Sequence, residues 1–477
     1  MHRMNRALRL LLPAALLAIG LGPVAAAPAL AGTPASPGPV KALTGKFSDG
    51  ATYLIQVPAN WNGTLFLYSH GYVAPGTGRP NPATDVGDPI TGAWMLKHGY
   101  ALAGSSYADA GWDISNALPD QIHTLNAFDR RVGTPSRTIA WGHSLGGMIT
   151  AGLIQRYPTR FNGALPMCGV VSGGVATWNT ALDAAFAFQQ LVDPSVSVVN
   201  ITSPGTNLLS ADNAAAKAQK TAKGRARLAL SAALADTPGW FTPLSPEPAA
   251  NNYKAQEANQ FLWATQVTFP FAFALRADLE ARAGGNPSSN TGVNYFRDLL
   301  KSADLKEVLA LYHAAGLSLD KDLATLGAAP RVSADPAARR YLVHNITYNG
   351  QLSMPVLTMH TVGDGLVVPE NEQAYSSVVA KAGDSALLRQ IYVNRAGHCA
   401  FTPAETITAA RVLLNRMRTG QWSALSLTPA VMKARASALG PAYNVFSSGG
   451  KLVATRPAFL HFTPSPYLRP FDAPKRP

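Results

Sequence analysis

A chain of 477 residues, 47% of them hydrophobic, is long enough to bury a full core and has room for more than one domain, so general disorder is not expected. The formal charge is +13, and the three arginines of the first ten residues account for 3 of it, which leaves a moderately basic +10 on the chain behind them. Lys and Arg are spread along the sequence with no dense run interleaved with aromatics, which argues against nucleic acid as a partner and leaves an anionic surface or substrate compatible.

The N-terminus carries Arg3, Arg6 and Arg9, then the apolar run Leu10 to Leu21, then small residues ending in Ala29-Leu30-Ala31. That layout predicts a secretory signal peptide over residues 1–31, since the apolar core is shorter than the roughly 20 residues a spanning helix requires. The expected location is therefore extracellular. No other stretch of about 18 uninterrupted apolar residues occurs, so no integral membrane segment is expected after cleavage.

Behind a Pro/Gly/Ala linker at 32–40, short apolar runs alternate with helical patterns, as expected for a sheet covered by helices on both faces. Strands are predicted at Ala51 to Val57, Thr64 to Tyr68, Tyr100 to Gly104, Arg137 to Trp141 and Gly163 to Met167. Helices are predicted at Pro119 to Arg131 and Gly146 to Tyr157. From about 175 to 345 the strand signal nearly vanishes, and Ala-rich helical patterns run over Thr180 to Val192, Ala211 to Ala235, Tyr253 to Arg282 and Phe296 to Ala315. The strand-helix pattern resumes with strands at Met354 to Met359 and Leu387 to Val393 and helices at Asn371 to Ala382 and Pro403 to Arg418. The expected organisation is thus a core in two parts, 41–175 and 346–420, split by a helical insertion over 176–345 and followed by a C-terminal extension over 421–477 whose last fourteen residues read as an extended tail.

The segment Ile139-Ala140-Trp141-Gly142-His143-Ser144-Leu145-Gly146-Gly147 sets G-x-S-x-G between a strand and a helical pattern. A serine at so sharp a turn requires glycines where a Cβ would clash, and the turn puts its hydroxyl at the positive end of the following helix. Here the sequence resembles the α/β-hydrolase superfamily, and Gly142 to Gly147 looks like the nucleophile elbow of its esterases and lipases. The resemblance covers roughly residues 45–175 and 350–418. It implies an α/β-hydrolase fold with a mostly parallel twisted sheet, a large helical cap, and the chain order serine, acid, histidine.

Past the insertion, Pro355 to Gly363 is a buried-type strand ending in Asp364-Gly365, followed by Leu366-Val367-Val368-Pro369, as in the family's acid loop. Asp364 is the expected acid, with Glu370 and Asp384 as alternatives. The next strand ends in Asn394-Arg395-Ala396-Gly397-His398-Cys399, which resembles the family's histidine loop, and of ten histidines only His398 lies between the last predicted strand and the final helix of the core. A serine hydroxyl is a weak nucleophile until a neutral imidazole takes its proton, and a carboxylate fixes the tautomer of that imidazole. By the same resemblance the oxyanion donors are expected from the backbone N–H of Leu145 and, in the loop after Ser69-His70-Gly71, that of Tyr72. His70 and His143 read as structural.

Phe261-Leu262-Trp263 with Phe269, Phe271 and Phe273 reads either as an acyl pocket or as the core of the cap itself. No phosphate loop, H-E-x-x-H or zinc spacing is present, so neither cofactor nor metal is implied. The two cysteines, Cys168 and Cys399, both follow predicted strands, and in an exported chain they are expected to form a disulfide near His398, the alternative being two buried thiols. Some esterases and tannase-like enzymes also carry Cys beside the histidine, but there its partner precedes the serine, a position held here by His143. The expected activity is hydrolysis of a small-molecule, lipid or polymeric carboxylic ester. The alternatives are an aminopeptidase of the same fold, for which Glu257 and Glu280 are the candidate amine-binding carboxylates, and a non-catalytic binding protein on the same scaffold.

Overall fold

The computed structural model describes residues 38–76, 83–448 and 450–471. The predicted signal peptide over 1–31 lies outside the described residues, as does most of the linker. In the core, β1 (Val40–Lys46), β2 (Thr52–Pro58) and β3 (Thr64–Ser69) lead through α1 (Pro89–Lys97) to β4 (Ala101–Ser105), and through α2 (Ile114–Arg131) to β5 (Arg137–His143). Helix α3 (Leu145–Arg156) and β6 (Gly163–Met167) follow.

Nine α-helices then run without a strand: α4 (Gly174–Leu191), α5 (Pro204–Ala218), α6 (Ala222–Ala233), α7 (Tyr253–Trp263), α8 (Arg276–Ala283), α9 (Tyr295–Leu299), α10 (Leu305–Ala315), α11 (Leu319–Ala328) and α12 (Pro336–Asn345). The core resumes with β7 (Val356–Gly363), α13 (Glu370–Ala382), β8 (Leu388–Ala396) and α14 (Pro403–Thr419). The last part of the chain adds α15 (Pro429–Ser437), the hairpin of β9 (Val445–Ser448) and β10 (Lys451–Ala454), and β11 (Phe459–Leu460).

Nine strands form one sheet in the order β1-β2-β4-β3-β5-β6-β7-β8-β11. Pairing is parallel from β4 to β8, and β1, β2 and β11 join antiparallel at the edges. This order, with helices on both faces and a serine turn after β5, is the α/β-hydrolase fold. Every residue of β3, β4 and β6 is buried, which is why these strands read as continuous apolar runs.

Alternate residues feed two cores. Leu65, Leu67, Ala103 and Ala140 meet Leu125 and Phe128 of α2 and Ile149 and Leu153 of α3 on one face. Phe66, Tyr68, Leu102 and Trp141 meet Trp94 and Met95 of α1 and Ile407 and Leu413 of α14 on the other. The helical insertion has cores of its own, one around Phe186, Leu230 and Tyr312 and one around Phe188, Phe269 and Phe273.

Several helical boundaries differ from the sequence pattern, and α4 starts at Gly174, six residues before the predicted Thr180. The predicted helix over Ala211 to Ala235 is two helices, because Thr221 turns the chain and accepts from Gly224 N at 3.0 Å to cap α6. Likewise Phe296 to Ala315 is split between α9 and α10 at Leu300–Asp304. Helix α2 starts five residues before Pro119, which sits inside it. Among the described residues no helix is long and apolar enough to cross a membrane.

Candidate active site

Strand β5 ends at His143, and Ser144 takes up φ 59°, ψ −124° before α3 begins at the next residue. Positive φ at a residue with a Cβ is strained, and it persists here because the surroundings leave no alternative. A Cβ on Gly142 would lie 2.5 Å from the Ser69 carbonyl oxygen, and one on Gly146 would lie 1.9 Å from it. The two glycines of the motif therefore let the turn close against the end of β3. A Cβ on Gly71 would stand 3.4 Å from the Ser144 Cβ, so the backbone leading to Tyr72 passes directly beside the hydroxyl. Leu145, as first residue of α3, has an N–H that no intrahelical carbonyl can accept.

Strands β7 and β8 deliver the other two groups. The Ser144 Oγ lies 2.7 Å from His398 Nε2, and His398 Nδ1 lies 2.7 Å from Asp364 Oδ2. Asp364 is fully buried, and its Oδ1 accepts from Leu366 N and Val367 N, each at 3.0 Å. Of the alternative acids, Asp384 accepts from Leu352 N at 2.9 Å and Glu370 lies among buried carboxylates of the cap side, and neither has a hydrogen bond to His398.

Sequence reasoning passed over His360 and Glu372. Buried His360 meets the Val367 carbonyl at 2.7 Å through Nε2 and the Glu372 carboxylate at 2.9 Å through Nδ1. Burial by itself lowers its pKa, but the bond and charge of Glu372, with Asp364 nearby, outweigh that and raise it. Through its contact with the Val367 carbonyl, His360 ties down the turn that carries Asp364. The apolar run of β7 concealed it.

His70 and His143 are held neutral. Burial against Tyr107, whose ring stacks on it at 3.9 Å, lowers His70 to about 4. His143 is likewise lowered to about 4 by burial, then by the proximity of His398, with its Nδ1 3.2 Å from the Tyr68 hydroxyl.

Cys168, directly after β6, is bonded to Cys399, directly after His398, with Cα atoms 5.4 Å apart and a separation of 231 positions in the chain. Both take positive φ, 43° and 54°, so the bridge joins two sharp turns at the serine edge of the sheet. Closing so long a loop contributes up to about 5 kcal/mol in the chain-entropy description. Replacing both cysteines by alanine is expected to lower the unfolding free energy by about 2–5 kcal/mol. Urea denaturation of the double variant measures it, and an unchanged midpoint would show that the bridge restrains nothing.

A cavity of about 160 Å³ borders Ser144. Its wall joins core residues Tyr72, Trp112, Leu145 and Val367 to Trp178, Phe261, Phe269 and Phe271 of the cap. Phe269 and Phe273 line it and also belong to a buried cap core, so the two readings of this aromatic segment describe the same residues. Two π-helical turns, Ala264–Thr268 and Phe271–Leu275, flank Pro270 and give the wall its course. Tyr467, in the C-terminal extension, lines the cavity as well. Its segment is tied down by Tyr467 N donating to Gln373 Oε1 at 2.9 Å and by the Arg469–Asp183 ion pair. A Pro-rich tail gives no sequence signal for that role.

Of the two carboxylates expected to bind an amine, Glu280 is already taken by Arg276 Nε at 2.9 Å, whereas Glu257 lines the cavity. Behind Glu257 stand Asp236, Asp304, Glu307 and Glu370. Burial, then mutual repulsion, raises Asp304 to about 8 and Glu307 to about 9. These groups hold protons in the folded chain that the unfolded chain gives up near pH 4 to 5, so their contribution is complete below that range and is lost as pH rises through the folded values. Glu307→Gln is therefore expected to raise stability by at least about 1 kcal/mol at pH 9 and by little at pH 5, read by calorimetric melting at both. Equal effects at the two pH values would contradict this.

Among the described residues, one group has metal-ligand atoms within 4.8 Å of one another, Asp49, Asp120 and His123. None of the three lines the cavity.

These features define the α/β-hydrolase fold, with Ser144, His398 and Asp364 brought into hydrogen-bond contact at one edge of its sheet. Over 407 residues the chain is 27% identical to the o-phthalyl amidase of Xanthobacter agilis, covering 79% of this chain and 87% of that one. No family model matches. Solved structures similar to it include feruloyl esterase B from Aspergillus oryzae, at TM-score 0.39 and 12% identity over 88% of this chain and 86% of that one. The rice cell wall degrading esterase LipA from Xanthomonas oryzae matches at TM-score 0.35 and 13% identity, over 80% and 89% of the two chains.

Proposed function

We propose that this protein is a secreted serine hydrolase that cleaves carboxylic esters through an acyl-enzyme. The observation that carries the reading is the continuous chain of two 2.7 Å contacts from Ser144 Oγ through His398 to Asp364. His398 Nε2 takes the hydroxyl proton as Oγ attacks the carbonyl carbon, and Asp364 stabilises the imidazolium that results. The N–H groups of Leu145 and Tyr72 receive the oxyanion. The tetrahedral intermediate then collapses as His398 protonates the leaving alcohol, and water repeats the sequence to release the acid. Export is supported by the sequence pattern that predicts a leader over residues 1–31 and by the disulfide, which suits an oxidising compartment.

A second reading, hydrolysis of an amide, is favoured by the likeness to an amidase along most of both chains. The same steps serve an amide, with an amine in place of the alcohol. A panel of nitrophenyl esters and aminoacyl anilides separates the two: esters turned over in preference support the first reading, and anilides in preference support the second. Absence of turnover on either set would favour a binding protein on this scaffold. Turnover is also expected to fall on the acid side, because imidazolium cannot accept the serine proton.

A further inference from the structure

The cavity beside Ser144 is apolar over most of its wall but has one acidic end, formed by Thr237, Glu257 and Gln260. Glu257 is 1% exposed and Gln260 2%. Gln219 Nε2 donates to Glu257 Oε2 at 3.1 Å. Gln260 Nε2 donates to the Thr237 carbonyl at 3.0 Å and to Glu307 Oε2 at 3.1 Å, two acceptors that fix which way the amide points. Those contacts leave Glu257 Oε1, Gln260 Oε1 and Glu307 Oε1 buried without any hydrogen-bond partner. Glu307, raised to about 9, carries a proton of its own, whereas Glu257 Oε1 and Gln260 Oε1 each cost about 1–3 kcal/mol while unpaired and together call for a donor that arrives from outside the chain.

The charge balance narrows what that donor is. Lys, Arg and His are absent from the lining, and of the groups acting most strongly on the five carboxylates only Arg225, beside Glu257, is cationic. An anionic group would be repelled there. A neutral hydroxyl would satisfy one acceptor and bring no charge to set against Glu257, the one carboxylate of the lining, which burial raises only to about 7. A metal ion is poorly served, since no three of these carboxylates are among the residues whose ligand atoms gather within 4.8 Å. A primary ammonium supplies three N–H donors and a positive charge on a slender stem that fits an apolar channel.

We propose that Glu257 and Gln260 form a subsite for a primary ammonium group borne on the acyl part of the substrate. The word acyl rests on the reading of Ser144 as nucleophile, whereas the ammonium subsite itself does not.

Calorimetric titration at pH 7.5 tests the subsite without turnover, using n-propyl- to n-hexylammonium ions and the alcohols of the same lengths on the full chain and on its Ser144→Ala variant. One ammonium length is expected to bind at least tenfold more tightly than its alcohol, and Glu257→Gln is expected to remove that advantage. Gln260→Leu, which removes one of the two unpaired acceptors and leaves Glu257 in place, is expected to weaken ammonium binding severalfold, so the proposal stays testable if Glu257→Gln does not fold. Alcohols binding as well as the ammonium ions at every length, or ammonium affinity unchanged in folded Glu257→Gln, would overturn it. Nitrophenyl esters of ω-amino acids of graded length, set against their alkanoyl counterparts, then separate the two readings. Ammonium binding without ester turnover counts against the proposed function alone, and turnover without preference for an amino ester counts against this subsite alone.

Discussion

Replacing Ser144 by alanine is expected to lower kcat by about a million-fold and to abolish labelling by a fluorophosphonate, while the folded structure persists. The substitution removes one oxygen, and that oxygen is the atom hydrogen-bonded to His398. Alanine keeps a Cβ at φ 59°, so it inherits the backbone strain of the turn without the hydroxyl that the strain serves to present. Ser144→Gly should be equally inactive yet more stable than Ser144→Ala by about 1–3 kcal/mol, since glycine occupies such a conformation freely. Comparing the two inactive variants by thermal melting isolates the strain from the chemistry. Full labelling of Ser144→Ala would move the nucleophile elsewhere in the chain.

The parts of the fold legible in the sequence are those where one physical requirement dominates. Strands β3 to β7 must be apolar on both faces, and their runs were predicted within a few residues. The serine turn was equally legible, because it admits only glycine at 142 and 146, where the backbone of Ser69 leaves no room for a Cβ. The edges were not. Strand β1 is exposed at Lys41, Ala42, Thr44 and Lys46 and only half-buried at Val40, Leu43 and Gly45, so it carries no buried stripe to read. Strand β11 has two residues and takes its place by pairing Phe459 with Val393 and Leu460 with Tyr392.

In the cap, Ala-rich segments specify helix without specifying where one helix ends and the next begins, and only a local cap such as Thr221 decides it. The cavity depended on contacts between segments far apart in the chain: Tyr467 comes from the tail, Glu257 from the cap and Tyr72 from the loop after β3. No spacing within the sequence links them. His360 escaped notice for a different reason, since a titratable residue inside an apolar strand gains its role only from Glu372, twelve residues later.

Asp364→Asn is expected to lower kcat by about ten-thousand-fold with little change in substrate binding. The direction follows from how the carboxylate is held. Its Oδ1 accepts two backbone N–H bonds, from Leu366 and Val367, and only a carbonyl oxygen can replace it there. An asparagine must therefore turn its NH2 group towards His398 Nδ1. Facing a donor, Nδ1 becomes the acceptor, and the ring proton moves to Nε2, the nitrogen 2.7 Å from Ser144 Oγ. In that tautomer the imidazole donates to the serine instead of accepting from it, so the base is lost although every heavy atom keeps its place. Binding is spared because Asp364 does not line the cavity. The signature is thus a fall in kcat with KM nearly constant, measured on the ester that the wild type turns over best. A variant with near wild-type kcat would require another carboxylate to serve His398, and neither Glu370 nor Asp384 has a hydrogen bond to that ring in this structure, so the loop carrying Asp364 would have to rearrange to bring one there.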